Sequence, residues 1–429
     1  MIDYSLFWIG AYILCWILTL IYYQRKRKIF DAGSLILLLQ LIYAILSFFL
    51  YEDQYWGWCF LPIKPFPFIY LYLTIILTSL PIFKYDLRKI DSIQRPSNLF
   101  FNIVAIIFII GSIWSFPSKV SMISSGFIQL LNDAATASDM HRDSVDASLA
   151  LMDNKVSNLG DIISNIFSNI GILFFMYYLT LKKKNLVILY GLGISIIISI
   201  LVYVALGQRG GIIHRLFTLL ITYFMLKKFY DDKTRKLIKL LAIISAIIIA
   251  IPFLLITVGR FSDAGEGGTI SSLLYYSGQQ NLYFNNFGLD DGGIRYGDRT
   301  FALFKQMLGF DNVPNNFMEL RQKYPYLHIN DEVFYTYIGD FTIDFGPVWA
   351  LLIFIVFTLF MLFITDVKGR QITFSQLIAL HLVMCICVQG GLQLFPFSYT
   401  GNLKLILTVM LCIFFSIDRK IINNHVRLS

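Results

Sequence analysis

Two arginines near the middle of the chain have the surroundings of an anion site. The stretch Gly207-Gln208-Arg209-Gly210-Gly211 is followed closely by His214 and Arg215. Glycine allows a backbone to approach a ligand closely. A guanidinium offers a rigid fork of donors that suits phosphate oxygens. Arg260 ends a stretch without charge from Leu240 to Gly259, which predicts a membrane depth similar to that of Arg209. Arg209, Arg215 and Arg260 thus form a candidate clamp for a diphosphate. The bland alternative is that they anchor to lipid headgroups. His214 reads as a hydrogen-bonded packing residue.

A second group lies later. His328-Ile329-Asn330-Asp331-Glu332 is followed by Tyr335, Asp340 and Asp344. One imidazole among carboxylates can supply a general base that takes a proton from a sugar hydroxyl, with His328 and Glu332 as the catalytic candidates. Carboxylates in such a stretch are also commonly just solvated. Arg295 and Arg299 flank Asp298 shortly after Asp290-Asp291-Gly292-Gly293. EF-hand spacing is missing there, so the acidic pair reads as a solvated turn. Arg295, Arg299, Tyr335 and Asp344 are weaker candidates for holding a glycan. Asp344 also reads as a cap for the helix that Pro347 begins. Glu52-Asp53 reads as headgroup-level charge, or as catalytic in an enzyme that uses polyprenyl-phosphate sugars. No metal-ligand spacing and no phosphate-binding Gly-rich loop of the P-loop type occurs, so neither metal nor cofactor is expected. Cys385-x-Cys387 sits in an apolar run and reads as packing.

The elements that must position these residues follow from composition. Of 429 residues, 57% are hydrophobic and 14% charged, whereas soluble domains are about 45–50% apolar and about 25% charged. That excludes a soluble enzyme, a disordered chain, a nucleic-acid-binding domain and a disulfide-stapled secreted domain. A spanning helix needs about 20 mostly apolar residues. About eleven segments qualify: Ser5 to Tyr23, Gly33 to Tyr51, Phe66 to Phe83, Leu99 to Phe116, Ile162 to Thr180, Leu186 to Leu206, Ile212 to Leu226, Leu240 to Val258, Pro347 to Thr365, Phe374 to Gln389 and Gly401 to Ile417. The expected fold is an all-α polytopic integral membrane protein, a single membrane domain over 1–429. The first apolar stretch reads as a retained anchor rather than a signal peptide.

Basic residues concentrate in the short connections, at Arg25-Lys26-Arg27-Lys28, around Lys84 to Arg95, at Lys182-Lys183-Lys184 and from Lys227 to Lys239. That bias places these connections in the cytoplasm, the N-terminus outside and the C-terminus inside. Two long loops then face outward, 117–161 and 259–346. The first carries Val120, Met122, Ile123, Phe127, Ile128, Leu130 and Leu131, the spacing of an amphipathic interfacial helix. The second is rich in Tyr and Phe, whose flat faces suit sugar rings and interface belts equally. It is the expected substrate-binding segment. No internal repeat is visible, which weighs against a transporter built from two related halves.

Together these features resemble the Wzy-type O-antigen and capsule polymerases, the oligosaccharide repeat unit polymerases. The local matches are Gly207-Gln208-Arg209-Gly210-Gly211, Arg260, and Thr336-Tyr337-Ile338-Gly339 running to Asp344-Phe345-Gly346. The resemblance implies glycosyl transfer on the outer face of the bacterial cytoplasmic membrane. The growing glycan passes from undecaprenyl diphosphate to a hydroxyl of the next lipid-linked repeat unit. Arg209, with Arg260 or Arg215, would stabilise the leaving diphosphate, and His328 or Glu332 would be the base. The implied partners are the lipid-linked oligosaccharide, membrane lipid, and flippase and chain-length regulator proteins; nucleic acid is not among them. The related ligases carry an adjacent His-Asn pair, whereas here Ile329 separates His328 from Asn330. The alternatives are a ligase-like glycan transferase and a flippase or transporter for lipid-linked oligosaccharides.

Overall fold

A computed structural model describes residues 4–117, 119–120, 123–125, 128, 159–205, 209–261, 268–315, 317–329, 333–367, 369–392 and 399–428. In chain order the helices are α1 (Ser5–Arg27), α2 (Ala32–Tyr51), α3 (Pro65–Lys84), α4 (Asn98–Trp114), α5 (Leu159–Leu179), α6 (Leu186–Ala205), α7 (Arg209–Leu226), α8 (Asp232–Phe261), α9 (Gly268–Tyr283), α10 (Ala302–Met307), α11 (Phe317–Lys323), α12 (Thr336–Phe345), α13 (Pro347–Ile364), α14 (Phe374–Gln389) and α15 (Tyr399–Leu428). Each of the apolar segments expected to span lies on one of these helices. Among the described residues seven helices are long and apolar enough to cross a membrane: α1, α2, α3, α5, α6, α13 and α15. Apolar α4 and α14 are shorter. Helix α7 carries Arg209, His214 and Arg215 near its start, and many side chains of α8 lie outside the described residues. The expected first outer loop, 117–161, and its amphipathic stretch lie for the most part outside the described residues too.

Helix α13 shows why these helices suit a bilayer. Its buried residues are Ala350, Phe354, Thr358 and Met361, one narrow stripe at helical spacing. Val348, Leu352, Val356, Leu359, Phe360 and Phe363 are exposed. A helix apolar all round, with only one stripe covered by protein, presents its other face to hydrocarbon.

The chain divides into two compact units, each built from three separate stretches. Unit 1 holds Met1–Asp86, Ile270–Val367 and Ala379–Ile406. Its core joins Tyr12 and Trp16 of α1, Leu71 and Ile75 of α3, Tyr337, Ile338 and Phe341 of α12, and Phe354 of α13. Tyr12 stacks on Phe68 with centroids 4.4 Å apart. At the end of α1, Arg27 is buried and pairs with Asp86 at 2.6 Å. Asp31 caps α2 by accepting from Ser34 N at 3.0 Å.

Unit 2 holds Leu87–Thr269, Lys368–Ile378 and Leu407–Ser429. Phe101, Phe174, Phe374 and Phe415 form its aromatic centre, with Phe101 stacked on Phe174 at 4.6 Å and Phe374 on Phe415 edge-to-face at 4.9 Å. Its connections also pair into the one sheet among the described residues. Strand β1 (Ser92–Gln94) lies parallel to β2 (Gln371–Thr373), with Ile93 opposite Ile372.

Candidate functional site

The residues 259–346, expected as a loop, are largely folded. Helix α9 ends in a π-helical turn, Phe284–Gly288. The chain then winds through 290–301 with positive φ at Gly292, Tyr296 and Gly297. This segment is fixed to α12 at both backbone and side-chain level. Arg295 N donates to Ile343 O at 3.0 Å, and Asp344 Oδ2 accepts from Thr300 N and Oγ1 at 2.7 and 2.8 Å.

Asp340 and Asp344 stand four apart on α12, on one face of the helix. Arg295 and Arg299 meet them crosswise: Arg295 Nε lies 2.7 Å from Asp344 Oδ1, and Arg299 Nε 3.1 Å from Asp340 Oδ1. These are ion contacts outside hydrogen-bond alignment. The Tyr335 hydroxyl accepts from Arg299 Nη1 and, at 3.4 Å, from Arg295 Nη1. The guanidinium of Arg299 also lies 5.3 Å from the Tyr335 ring centroid. All five side chains are buried. Burial pushes the Tyr335 phenol up to about 12 against the pull of both arginines. Burial opposes the Arg295 charge, but Asp344, Tyr335 and Asp340 outweigh it and hold the group above the ordinary arginine value. Next to Tyr335, Thr336 sits at φ +66, a strained conformation for a β-branched residue. Two backbone bonds hold it there, Thr336 N to Leu392 O and Tyr337 N to Gly390 O, both 2.8 Å.

Arg295, Arg299, Tyr335 and Asp344, candidates for holding a glycan, are thus brought together. Their polar atoms are turned on one another, an arrangement that locks the 290–301 segment against α12. Asp344 does not cap the next helix as its position before Pro347 suggests. It is occupied by Arg295 and Thr300, and Gly346 stands at the N-cap of α13 with no side-chain bond.

The same locked segment carries Asp291. The acidic pair is not a solvated turn: Asp290 is exposed, but the side chain of Asp291 is only 1% exposed. The returning strand of chain at 327–329 covers it. Asp291 O accepts from His328 N at 3.2 Å and Asp291 Oδ1 from Ile329 N at 2.8 Å. Oδ2 is buried with no hydrogen-bond partner. Burial pushes this carboxyl up to about 6, against the Ile329 N–H and the charges of Arg295 and His328.

His328 lies over this carboxylate and is 56% exposed. Its Nδ1 is 3.9 Å from Asp291 Oδ1. Its ring stacks on Phe287 of the π-helical turn, with centroids 5.2 Å apart and planes 10° off parallel. Gly292, at φ +85, lies against the imidazole; a Cβ there would stand 3.1 Å from His328 Cε1. The arrangement is an exposed imidazole on an aromatic platform with a buried carboxylate behind it. Such an imidazole can take a proton at Nε2, with the carboxylate within ion-pair range of Nδ1 but beyond hydrogen-bond distance. Glu332 lies outside the described residues.

Sequence reasoning missed Asp291, Phe287 and a companion cluster. Asp298 accepts from Lys305, from Lys323 at 2.6 Å and from Tyr324 Oη at 2.7 Å. Burial works against the Asp298 charge, but these donors hold its carboxyl below the ordinary value.

The arginine group belongs to unit 2. Arg209 begins α7 and Arg260 stands near the end of α8, and their side chains lie outside the described residues. Arg215 is buried. Its Nη1 donates to Asn169 Oδ1 at 2.6 Å and its Nη2 to Tyr203 Oη at 3.4 Å. Its Nε has no hydrogen-bond partner. Among the described residues no carboxylate pairs with it, and the contacts it makes there are to the neutral Asn169 and Tyr203. Gly211 makes room for the Tyr203 ring, which a Cβ would strike; this glycine serves helix packing. Asp53 is committed to a turn, accepting from Tyr55 N, Trp56 N and, at 2.8 Å, Ser271 Oγ.

Among the described residues no group of His, Cys, Asp and Glu is placed to hold a metal ion. No protein-family model, curated protein or solved structure matches this chain.

Proposed function

We propose that the protein polymerises undecaprenyl-diphosphate-linked oligosaccharide repeat units at the outer face of the bacterial cytoplasmic membrane. The observation that carries this reading is His328, exposed on the Phe287 ring with Asp291 buried behind it, in a chain whose long helices are largely apolar. An aromatic face beside a base suits a sugar ring whose hydroxyl must lose a proton. His328 Nε2 takes the proton of the acceptor hydroxyl. The acceptor oxygen then bonds to the anomeric carbon of the growing glycan. The bond from that carbon to the diphosphate oxygen breaks, and undecaprenyl diphosphate leaves with the electron pair. Arg209, Arg215 and Arg260 stabilise the charge that develops on the leaving group. Arg215 supports this role by having no carboxylate partner among the described residues.

The test is the surface glycan of a strain lacking the gene, sized on gels and with its anchor identified by mass spectrometry. Single repeat units with the ladder gone are the expected outcome. Long chains stranded on undecaprenyl diphosphate would instead assign a ligase. Loss of every outward-facing unit would assign a flippase, and the roles of His328 and Asp291 would then fall.

A further inference from the structure

A cavity of about 290 Å³ opens in unit 2, far along the chain from His328. Its wall brings together Arg95, just before α4, and Lys183 and Lys184, in the connection between α5 and α6. No Asp or Glu lines it. Among the described residues neither Arg95 nor Lys183 has an ion-pair partner, and Lys184 makes one weak contact, 3.4 Å to Thr234 Oγ1. Asp231 feels the Lys184 charge but stands outside the wall. Elsewhere in the chain Arg27 pairs with Asp86 and Arg295 with Asp344. Three cations gathered on one concave surface, with no carboxylate among the described residues that line it, mark a place for an anion.

The backbone adds to the same field. Helices α4 and α6 both begin at the wall, with Asn98 and Asn185 among its residues. Helix N-termini carry partial positive charge. Asn185 N donates to the Tyr178 hydroxyl at 2.7 Å, which fixes the start of α6 against α5. Apolar side chains share the wall, Phe101 and Leu181 among them, and just beyond Asn98 and Asn185 the helices expose Leu99 (66%) and Val187 (80%). A cationic wall and exposed apolar residues on the first turns of α4 and α6 match a molecule with an anionic head and a hydrocarbon tail, and the basic connections lie where the charge bias expects the cytoplasmic leaflet.

We propose that this cavity binds the phosphodiester headgroup of an anionic membrane phospholipid, with the acyl chains against α4 and α6. The site is independent of the glycan chemistry proposed above. Purified protein in detergent would be titrated with phosphatidylglycerol, with phosphatidylcholine and with inorganic phosphate, and bound species read by native mass spectrometry. Phosphatidylglycerol is retained and phosphatidylcholine is not. An Arg95→Gln, Lys183→Gln double variant weakens retention about tenfold to thirtyfold, as two surface cations of about 1 kcal/mol each would. An Arg25→Gln, Lys26→Gln variant, with the same charge change at exposed positions of α1, keeps it. Thermal unfolding of both variants at the wild-type temperature confirms that folding is unaffected, as expected for exposed side chains. Equal weakening in both variants, or none in the first, overturns the site. Retention of inorganic phosphate without the lipid overturns the lipid assignment.

Discussion

Replacing His328 by Phe keeps a ring to stack on Phe287 and removes the base. Extension of a purified lipid-linked repeat unit should fall by about 10²- to 10⁴-fold, the usual weight of general-base catalysis. Asp291→Asn should cost less, about tenfold, and lower kcat with KM unchanged, a split that a merely structural role would not give. The same substitution has a stability consequence. The Asp291 carboxyl is pushed up to about 6 in the folded protein, against about 3.9 when unfolded. Its protonated form favours folding, so this contribution is full below about pH 4 and is lost as pH rises through about 6. In Asp291→Asn that pH dependence disappears, and unfolding at neutral pH should require roughly 2 kcal/mol more, as chemical denaturation in detergent would measure. Less activity with more stability is the pattern of a functional group held at a cost. His328 was legible in the sequence by its type alone. Asp291 was not, because nothing local in Asp290-Asp291-Gly292-Gly293 encodes the return of residues 327–329 across it.

Helix α12 is where the site and the fold share residues. Its two carboxylates four apart fell in a stretch expected as a loop, and their meeting with Arg295 and Arg299 depends on a winding segment with three positive φ angles in 290–301. Removing one partner, as in Asp344→Ala, leaves Arg295 buried and unpaired and should cost about 3–5 kcal/mol. A paired Arg295→Met, Asp344→Leu change should cost less than Asp344→Ala alone, since an apolar pair strands no charge. Thermal unfolding of the two variants side by side distinguishes them. The long helices were legible because a spanning segment must be apolar for about 20 residues, a signal no loop imitates. The parallel pair β1 and β2 was not, since a strand of 3 residues leaves no readable period. Nor was the function of Gly211, whose need for space comes from a tyrosine on the neighbouring helix.

Over the whole chain, the charge bias makes a topological prediction. A cysteine at Asp290, which is exposed, should react with an impermeant maleimide in intact cells once the native cysteines are replaced. A cysteine at Lys183 should react only after the membrane is opened. The reverse pattern would place the His328 site in the cytoplasm, away from any lipid-linked glycan presented outside. The interleaving of the two units was invisible in the sequence, because apolar runs report depth and not neighbours. It also sets an order of events during synthesis. Helices α1 to α3 emerge first, but their partners in unit 1 begin only at Ile270. At about 5–20 residues per second, the intervening Leu87–Thr269 takes about ten to forty seconds to make. During that wait the newborn helices keep open the faces that α12 and α13 will cover. The early Arg27–Asp86 pair is complete before the pause begins, so it can hold the first three helices as a waiting room until the ribosome delivers the rest.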